Sequence, residues 1–410
     1  MFIGHFTEEP WQHPEWKEEW GSGQLVSNKE YIPELGAQLY NRYIDEKIYA
    51  EEMGFDGLMI NEHHSAAFCM NQVANVQAAI MARVTKKAKI LLLGNILPIH
   101  DDPLWLAEQL AMIDLISYGR LIPGVVRGGG AETFPHNAPP HHNRERFEEA
   151  HDFLIKTWTT PGPFRWEGKH YHYRYVNPWA VPLQKPHPPI WVPGTASRET
   201  VQWAANHRYP YIMLGSTLEA TKEMYDVYYD TSAEQGFEAG PQNLGFMFWL
   251  HVEETQKKAE EVGHKLTEGV RSPFDPGVHN VPPWLMGPPG HTSREARART
   301  RRLLAADSKG RPQTGARASF EGQIASKGMI VGTPDSVVPQ IREILEYLRP
   351  GIIIFRTGDG AMTHEEQMRT LKLMGEEVMP RLREIGTELG LPGPDEVDPM
   401  TAKPLAAAAT

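Results

Sequence analysis

The stretch Gly54-Phe55-Asp56-Gly57-Leu58-Met59-Ile60-Asn61-Glu62-His63-His64 ends an apolar run in a carboxylate and two imidazoles. A short apolar run bounded by turn residues suits a strand buried on both faces. In parallel α/β proteins, chemistry sits at the carboxyl ends of such strands. Imidazole changes charge near neutral pH, so His63 and His64 are candidates for proton transfer. Glu62 and His64 fall on alternate residues and could share one side, which keeps a mononuclear metal hydrolase open. The plain alternative is a strand end with solvated histidines.

Two further groups could hold an anion. Arg127-Gly128-Gly129-Gly130 follows another apolar run, and a guanidinium suits phosphate. Pro193-Gly194-Thr195-Ala196-Ser197 opens a helix, whose free N–H groups favour a negative charge. Arg127 and Ser197 from adjacent barrel strands could clamp one phosphate; equally, Arg127 could be an ion-pair partner and Ser197 a simple N-cap. Gly128-Gly129-Gly130 lacks the spacing of a dinucleotide fingerprint. His136, His141, His142, His170 and His172 lie in a Pro-rich loop and a presumed hairpin, without the spacing that puts two metal ligands on one helix face. No residue is assigned to a metal. Asp101-Asp102 precedes a helix and reads as a cap.

The elements that must position these groups alternate. Strands are expected at 2–6, after Gly54 up to Glu62-His63-His64, and at 89–97, 121–126, 188–192, 211–214, 244–252 and 351–355. Helices are expected at 30–53, 71–84, 103–117, 144–157, 197–206, 218–235, 254–269, 334–348 and 364–389. Gly54 is a plausible C′ stop for the first of these. Eight strands with intervening helices make a (β/α)8 TIM barrel the leading architecture and a doubly wound open sheet the second. The reading is one domain over 1–390. It has insertions near 8–29, 160–187 (with a hairpin at 164–176) and 271–327, the last a lid before the final βα units, and a disordered tail over 391–410.

Composition narrows the class. The chain has 410 residues and a formal net charge of −11, which argues against a nucleic-acid partner. No apolar run reaches the roughly twenty residues needed to span a membrane. The first residues lack the form of a signal peptide, so a cytoplasmic location is expected. Cys69 is the lone cysteine, which excludes an intrachain disulfide and a thiolate metal site.

The segments 50–57 through Glu62-His63-His64, Leu97-Pro98 with Ala107-Glu108 and Asp114, Gly119-Arg120 with Gly124-Val125-Val126-Arg127-Gly128, Pro189-Ile190-Trp191-Val192 with Ser197 and Trp203-Ala204-Ala205, and Val331-Gly332-Thr333-Pro334 with Val378-Met379-Pro380 occur in this order. Together they resemble the bacterial luciferase-like flavin-dependent monooxygenases. The resemblance implies a TIM barrel binding reduced FMN at its carboxyl face, where FMNH2 and O2 give a C4a-(hydro)peroxide that oxygenates a small organic substrate. It puts His63 at the family's active-site histidine with His64 beside it. Arg127, Ser197 and Thr200 fall at FMN-phosphate positions, and Asn95 lies where the strand passes the isoalloxazine. It also implies a non-prolyl cis peptide near Leu93-Gly94-Asn95, a separate NAD(P)H:flavin reductase as partner, and a homo-oligomer, dimer or tetramer.

The sequence also departs from that pattern. Val126 stands where the luciferase α-subunit has a reactive cysteine, and the segments 8–29 and 271–327 have their own sequence. Substrates left open are aldehydes or alkanes, cyclic ketones, and sulfonates or sulfones. Arg294, Arg297 or Arg299 would suit a sulfonate; Trp11, Trp16, Phe68 or Trp284 would suit an apolar substrate. A deazaflavin (F420)-dependent hydride-transfer enzyme on the same fold, or a non-catalytic flavin-binding partner subunit, are the rival readings.

Overall fold

The computed structural model describes residues 1–15, 26–195, 197–266 and 320–405. Eight parallel strands form the ring: β1 (Phe2–Phe6), β2 (Gly57–Ile60), β3 (Lys89–Ile96), β4 (Leu121–Val126), β7 (Val192–Gly194), β8 (Tyr211–Leu214), β9 (Leu244–Val252) and β11 (Ile352–Arg356). Their order is β4-β3-β2-β1-β11-β9-β8-β7. Gly124 and Trp191 close the ring through one parallel bridge. Its bonds are Val125 N–H to Trp191 O, 3.2 Å, and Trp191 N–H to Pro123 O, 3.1 Å. The expected TIM barrel is thus present, with β5 (Phe164–Glu167) and β6 (His172–Val176) as the inserted antiparallel hairpin.

Alternation sorts side chains into two cores. Phe2, Phe6, Met59, Leu91, Leu93, Ile122, Trp191, Ile212, Met247, Ile352 and Ile354 fill the barrel interior. Ile3, Leu58, Ile60, Ile90, Leu92, Phe246 and Ile353 face the surrounding helices. A Cβ on Gly57 would stand 2.6 Å from the Phe2 ring, so glycine there makes room for an interior aromatic. Asp56 ties β1 to β2: its carboxylate accepts from Ile3 N–H at 2.7 Å and from Arg383 at 2.9 and 3.0 Å.

The expected helices are present in order, with α4 and α9 added: α1 (Pro33–Glu52), α2 (Ala74–Val84), α3 (Pro103–Ile116), a single turn α4 (Gly130–Thr133), α5 (Asn143–Thr159), α6 (Arg198–Asn206), α7 (Leu218–Glu234), α8 (Gln256–Lys265), α9 (Phe320–Ala325), α10 (Pro334–Leu348), α11 (His364–Leu373) and α12 (Met379–Glu388). Gly54 has φ +89° and ends α1 as expected. Asp102 caps α3, accepting from the Leu104 and Trp105 N–H groups.

Several expectations are corrected. The fifth barrel strand lies at Val192–Gly194, after the proline-rich run rather than within it. A further strand, β10 (Met329–Gly332), pairs with the outer half of β9. The last helix is broken by a π turn over Met374–Val378. The chain beyond 390 is not a disordered tail as far as 405. Leu391 is buried, Asn243 donates to Pro399 O at 2.9 Å, and Val397 bridges Pro404. Trp11 packs into a core with Leu39, Tyr43 and Met70, so it does not line the barrel mouth. Trp16, Trp284, the three lid arginines and most of the 271–327 insertion lie outside the described residues.

Candidate active site

The inner-face register of β1, β2, β9 and β11 continues to the carboxyl end of the barrel as Phe6, Asn61, Trp249 and Arg356. Phe6 is level with Arg356, and Arg356 with Trp249. The Arg356 guanidinium lies 4.2 Å from the Trp249 ring centroid. It pairs with Glu8 at 3.1 Å and with Asp359, which also accepts from the Trp249 indole N–H at 3.1 Å, the Glu8 N–H at 2.8 Å and the Thr7 hydroxyl at 3.3 Å. Burial opposes the Arg356 charge, but the Asp359 and Glu8 carboxylates outweigh it and hold its pKa above the ordinary value.

His63 follows β2 into this mouth, its side chain 29% exposed. Nδ1 is 2.9 Å from Glu132 Oε1, and Nε2 is 4.0 Å from Glu8 Oε2. The Phe68 ring is 4.7 Å away, centroid to centroid. Glu132 is buried, and its second oxygen accepts from Gly129 N–H at 2.9 Å. Burial pushes the Glu132 carboxyl up, but the His63 bond and charge pull it further down, below the ordinary range. The ionised carboxylate can only accept, so Nδ1 of His63 carries the proton and Nε2 is the nitrogen left for chemistry. Burial opposes charging His63, yet Glu132 and Glu8 leave its pKa raised.

His64 does not join this pair. Its Nε2 donates to Glu62 Oε1 at 3.3 Å, and its ring meets His136 edge-on at 4.2 Å. Glu62 also accepts from Ala74 N–H at the head of α2. The two expected histidines therefore point to different neighbourhoods, and the partner of His63 is Glu132.

On the adjacent β3, Asn95 is 1% exposed, and neither its Oδ1 nor its Nδ2 has a hydrogen-bond partner among the described residues. Buried amides are nearly always paired, so an acceptor and a donor left open together suit the edge of a bound heterocycle. The Leu93–Gly94 peptide just before it is cis, where the resemblance put it. Gly94 meets Gly124 closely, and a Cβ there would be 3.0 Å from the Gly124 carbonyl.

One strand further, Arg127 leaves β4. Burial and the like charge of Arg144 lower its pKa to about 10, partly offset by Glu199 and Glu148. Two guanidiniums within electrostatic reach favour an anion between them. Gly128 has φ +67°, and a Cβ on it would stand 2.5 Å from Ile96, so this turn needs glycine. Across the closing bridge, Ser197 is the N-cap residue of α6; its Oγ donates to Glu199 at 3.1 Å and accepts from Thr200 Oγ1 at 3.0 Å. The hydroxyls of Ser197 and Thr200 thus stand together at a helix N-terminus.

Sequence reasoning missed Glu8, Glu132, Arg356 and Asp359. Glu132 had a signal: a glycine N-cap followed three residues later by glutamate is a helix-start pattern. Arg356 had one too, since like Arg127 it ends an apolar strand with a cation.

A family model described as luciferase-like monooxygenase matches residues 34–350. The alkanal monooxygenase alpha chain of Photorhabdus luminescens is 25% identical over 214 residues, 52% of this chain and 59% of that one. The chain spans less than two thirds of the length of the curated relatives it matches. Among solved structures is the oxygenating constituent of 3,6-diketocamphane monooxygenase of Pseudomonas putida, a type II Baeyer–Villiger monooxygenase in complex with FMN. It superposes with a TM-score of 0.70 at 19% identity, over 92% of this chain and 98% of that one. An F420-dependent secondary alcohol dehydrogenase, in complex with an F420–acetone adduct, superposes with a TM-score of 0.62 at 14% identity, over 93% and 99%. At such identities the likeness is one of fold.

Proposed function

The chain belongs to the luciferase-like monooxygenase family, and from that premise we propose that it is the oxygenase component of a two-component, FMNH2- and O2-dependent monooxygenase acting on a small organic molecule. The observation that carries the reading is the succession on three adjacent strands. The His63–Glu132 pair follows β2, the unpartnered Asn95 amide lies on β3, and Arg127 follows β4. Asn95 fits the polar edge of a flavin ring. Arg127, Ser197, Thr200 and the first turn of α6 fit its phosphate. When bound, reduced flavin would supply the electrons that activate O2.

The protein's own part is positioning and proton control. Glu132 fixes the His63 ring and its tautomer, so that Nε2 can hold or release a proton toward the mouth. Phe6, Phe68 and Trp249 are the aromatic side chains packed around His63 and Arg356. Among the described residues at the mouth, Arg356 is committed to Glu8 and Asp359 and is not a surplus positive charge for a sulfonate. An uncharged substrate with an apolar body, a ketone or aldehyde, is the better fit.

FMNH2 would come from a separate NAD(P)H:flavin reductase, as befits a chain similar to an oxygenating constituent. Val76, Ile80 and Val84 on α2, with Trp105, Met112 and Ile116 on α3, form exposed apolar stripes, and they support a homo-oligomer buried through this face. Among the described residues, no helix is long and apolar enough to cross a membrane.

The test is O2 consumption and product formation by the full chain with reductase-supplied FMNH2 over a panel of ketones, aldehydes and sulfonates. Substrate-dependent product with incorporated oxygen is expected. The F420 reading, favoured by the likeness to the alcohol dehydrogenase, requires instead tight F420 binding and anaerobic hydride transfer. That result would overturn the monooxygenase.

A further inference from the structure

Away from the barrel mouth, the hairpin and the head of α5 bring three metal-ligating side chains to one point. His142 Nδ1 lies 3.2 Å from Glu145 Oε2, and His170 Nε2 lies 3.1 Å from the same oxygen. The three donor atoms all lie within 4.8 Å of one another. The His141 ring sits 4.0 Å from that of His142, and His142 is 5.0 Å from His170.

We propose that His142, Glu145 and His170 form a binding site for a divalent cation of the Zn2+ class, with a fourth position for water or His141. The donor set is two imidazoles and one carboxylate, the borderline mixture such ions take. Donors about 2.0–2.1 Å from a tetrahedral ion are about 3.3–3.4 Å apart, close to the two edges observed here.

The frame around the site is held by hydrogen bonds that need no metal. One turn along α5, Glu149 accepts the Lys169 and His170 N–H groups on Oε2, at 3.0 and 2.8 Å, and the Tyr171 N–H on Oε1, at 3.0 Å. That carboxylate clamps the hairpin turn on the helix and delivers His170, whose side chain is 9% exposed, to Glu145. The Lys169 ammonium occupies the same spot, 2.8 and 2.9 Å from the two Glu145 oxygens. It marks the place as one that draws a cation, and as a side chain 65% exposed on a flexible stem it can leave for solvent. Among the described residues, the other group of this kind, His151, Asp152 and His207, is already committed. His151 Nε2 is bonded to the Tyr209 hydroxyl, and His207 Nδ1 donates to Trp203 O.

The experiment is calorimetric titration of untagged, chelator-stripped full-length protein with ZnCl2, alongside Co2+ absorption spectra. Wild type should bind Zn2+ with Kd of about 10 µM or tighter and give the visible bands of tetrahedral Co2+. His142→Ala and His170→Gln should weaken binding about tenfold or more, as lost metal partners do. His151→Ala should leave it unchanged, and Lys169→Met should tighten it by removing the competing ammonium. Binding by wild type no tighter than about 1 mM overturns the site. So does a folded His170→Gln variant that binds as wild type does. Should that variant fail to fold, an unchanged or weaker affinity in Lys169→Met decides against the proposal.

Discussion

Glu132 accepts a hydrogen bond from Nδ1 of His63 at 2.9 Å while its other oxygen holds the Gly129 N–H at 2.9 Å. One carboxylate therefore joins the end of β2 to the loop after β4. The imidazole proposed for proton transfer and the turn that presents Arg127 are set by the same side chain.

The pairing has a pH signature. His63 has its pKa raised in the fold, so its contribution to stability is full below the unfolded value of 6.5 and is lost as pH rises through the folded one. Glu132 has its pKa lowered, so its contribution is present above 4.5 and is lost as pH falls through the folded value. Glu132→Gln should cost most thermal stability between pH 4.5 and 6.5. It should also move the alkaline limb of the pH–activity profile to lower pH, because burial then acts on His63 unopposed by that charge. Melting curves across pH 4–9 read both limits, and a pH-independent difference would count against the charge pairing.

His63→Ala should fold and bind FMN, yet lose product by roughly a hundredfold or more, the loss expected for an acid–base group. Oxygen should still be consumed and appear as hydrogen peroxide. Measuring product and peroxide together, with and without chelator, separates this role from packing alone and from a metal held by Glu62 and His64. Unchanged coupling would remove His63 from the chemistry. Loss of activity on chelation, restored by a divalent metal, would favour the hydrolase.

Arg127→Ala should weaken FMN binding by about 1.5–3 kcal/mol, the range for hydrogen bonds to charged groups. Ser197→Ala should cost less, because the α6 N–H groups remain. Fluorescence titration with FMN and with riboflavin reads the difference. Equal affinity of wild type for the two ligands would end the phosphate assignment.

The apolar stripes on α2 and α3 should be buried in solution. Light scattering after size exclusion should give a dimer or tetramer for wild type, and Val76→Asp with Trp105→Ser should shift it to monomer. A monomeric wild type at micromolar concentration would leave those stripes without a partner.

Much of the scaffold was legible because parallel strands are short apolar runs closed by turn residues. Gly54 announced the end of α1, and the run Leu121–Val126 was bounded by Gly119 and Arg127. The fifth strand was misplaced because prolines 182, 186, 188 and 189 precede it and Pro193 lies within it, so that tertiary pairing with β8 and the cross-ring bridge of Trp191 decide where a ladder forms. β10 escaped because it adds to the overhanging half of β9, a tertiary event with no local mark. At the mouth, Glu8 gains meaning only through Arg356, far away in sequence, and Asp359, three residues beyond Arg356, only through the turn that folds it back. Some residues that carry the family resemblance proved to be scaffold. Arg120 donates to Thr85 Oγ1 and to the carbonyls of Ala82, Thr85 and Ala88, and Asp114 holds Gln184.

The two hydrogen bonds between Trp191 and β4 make the barrel a bracelet with one narrow clasp. Arg127 leaves the strand on one side of that clasp, and Ser197 follows the strand on the other. An anion gripped by both would act as a second fastener, so ligand binding and ring closure become one event. At a hundredfold excess over Kd, such a ligand adds about 2.7 kcal/mol to the folded state. The amides of Val125 and Trp191 are where slowed hydrogen exchange should register it first.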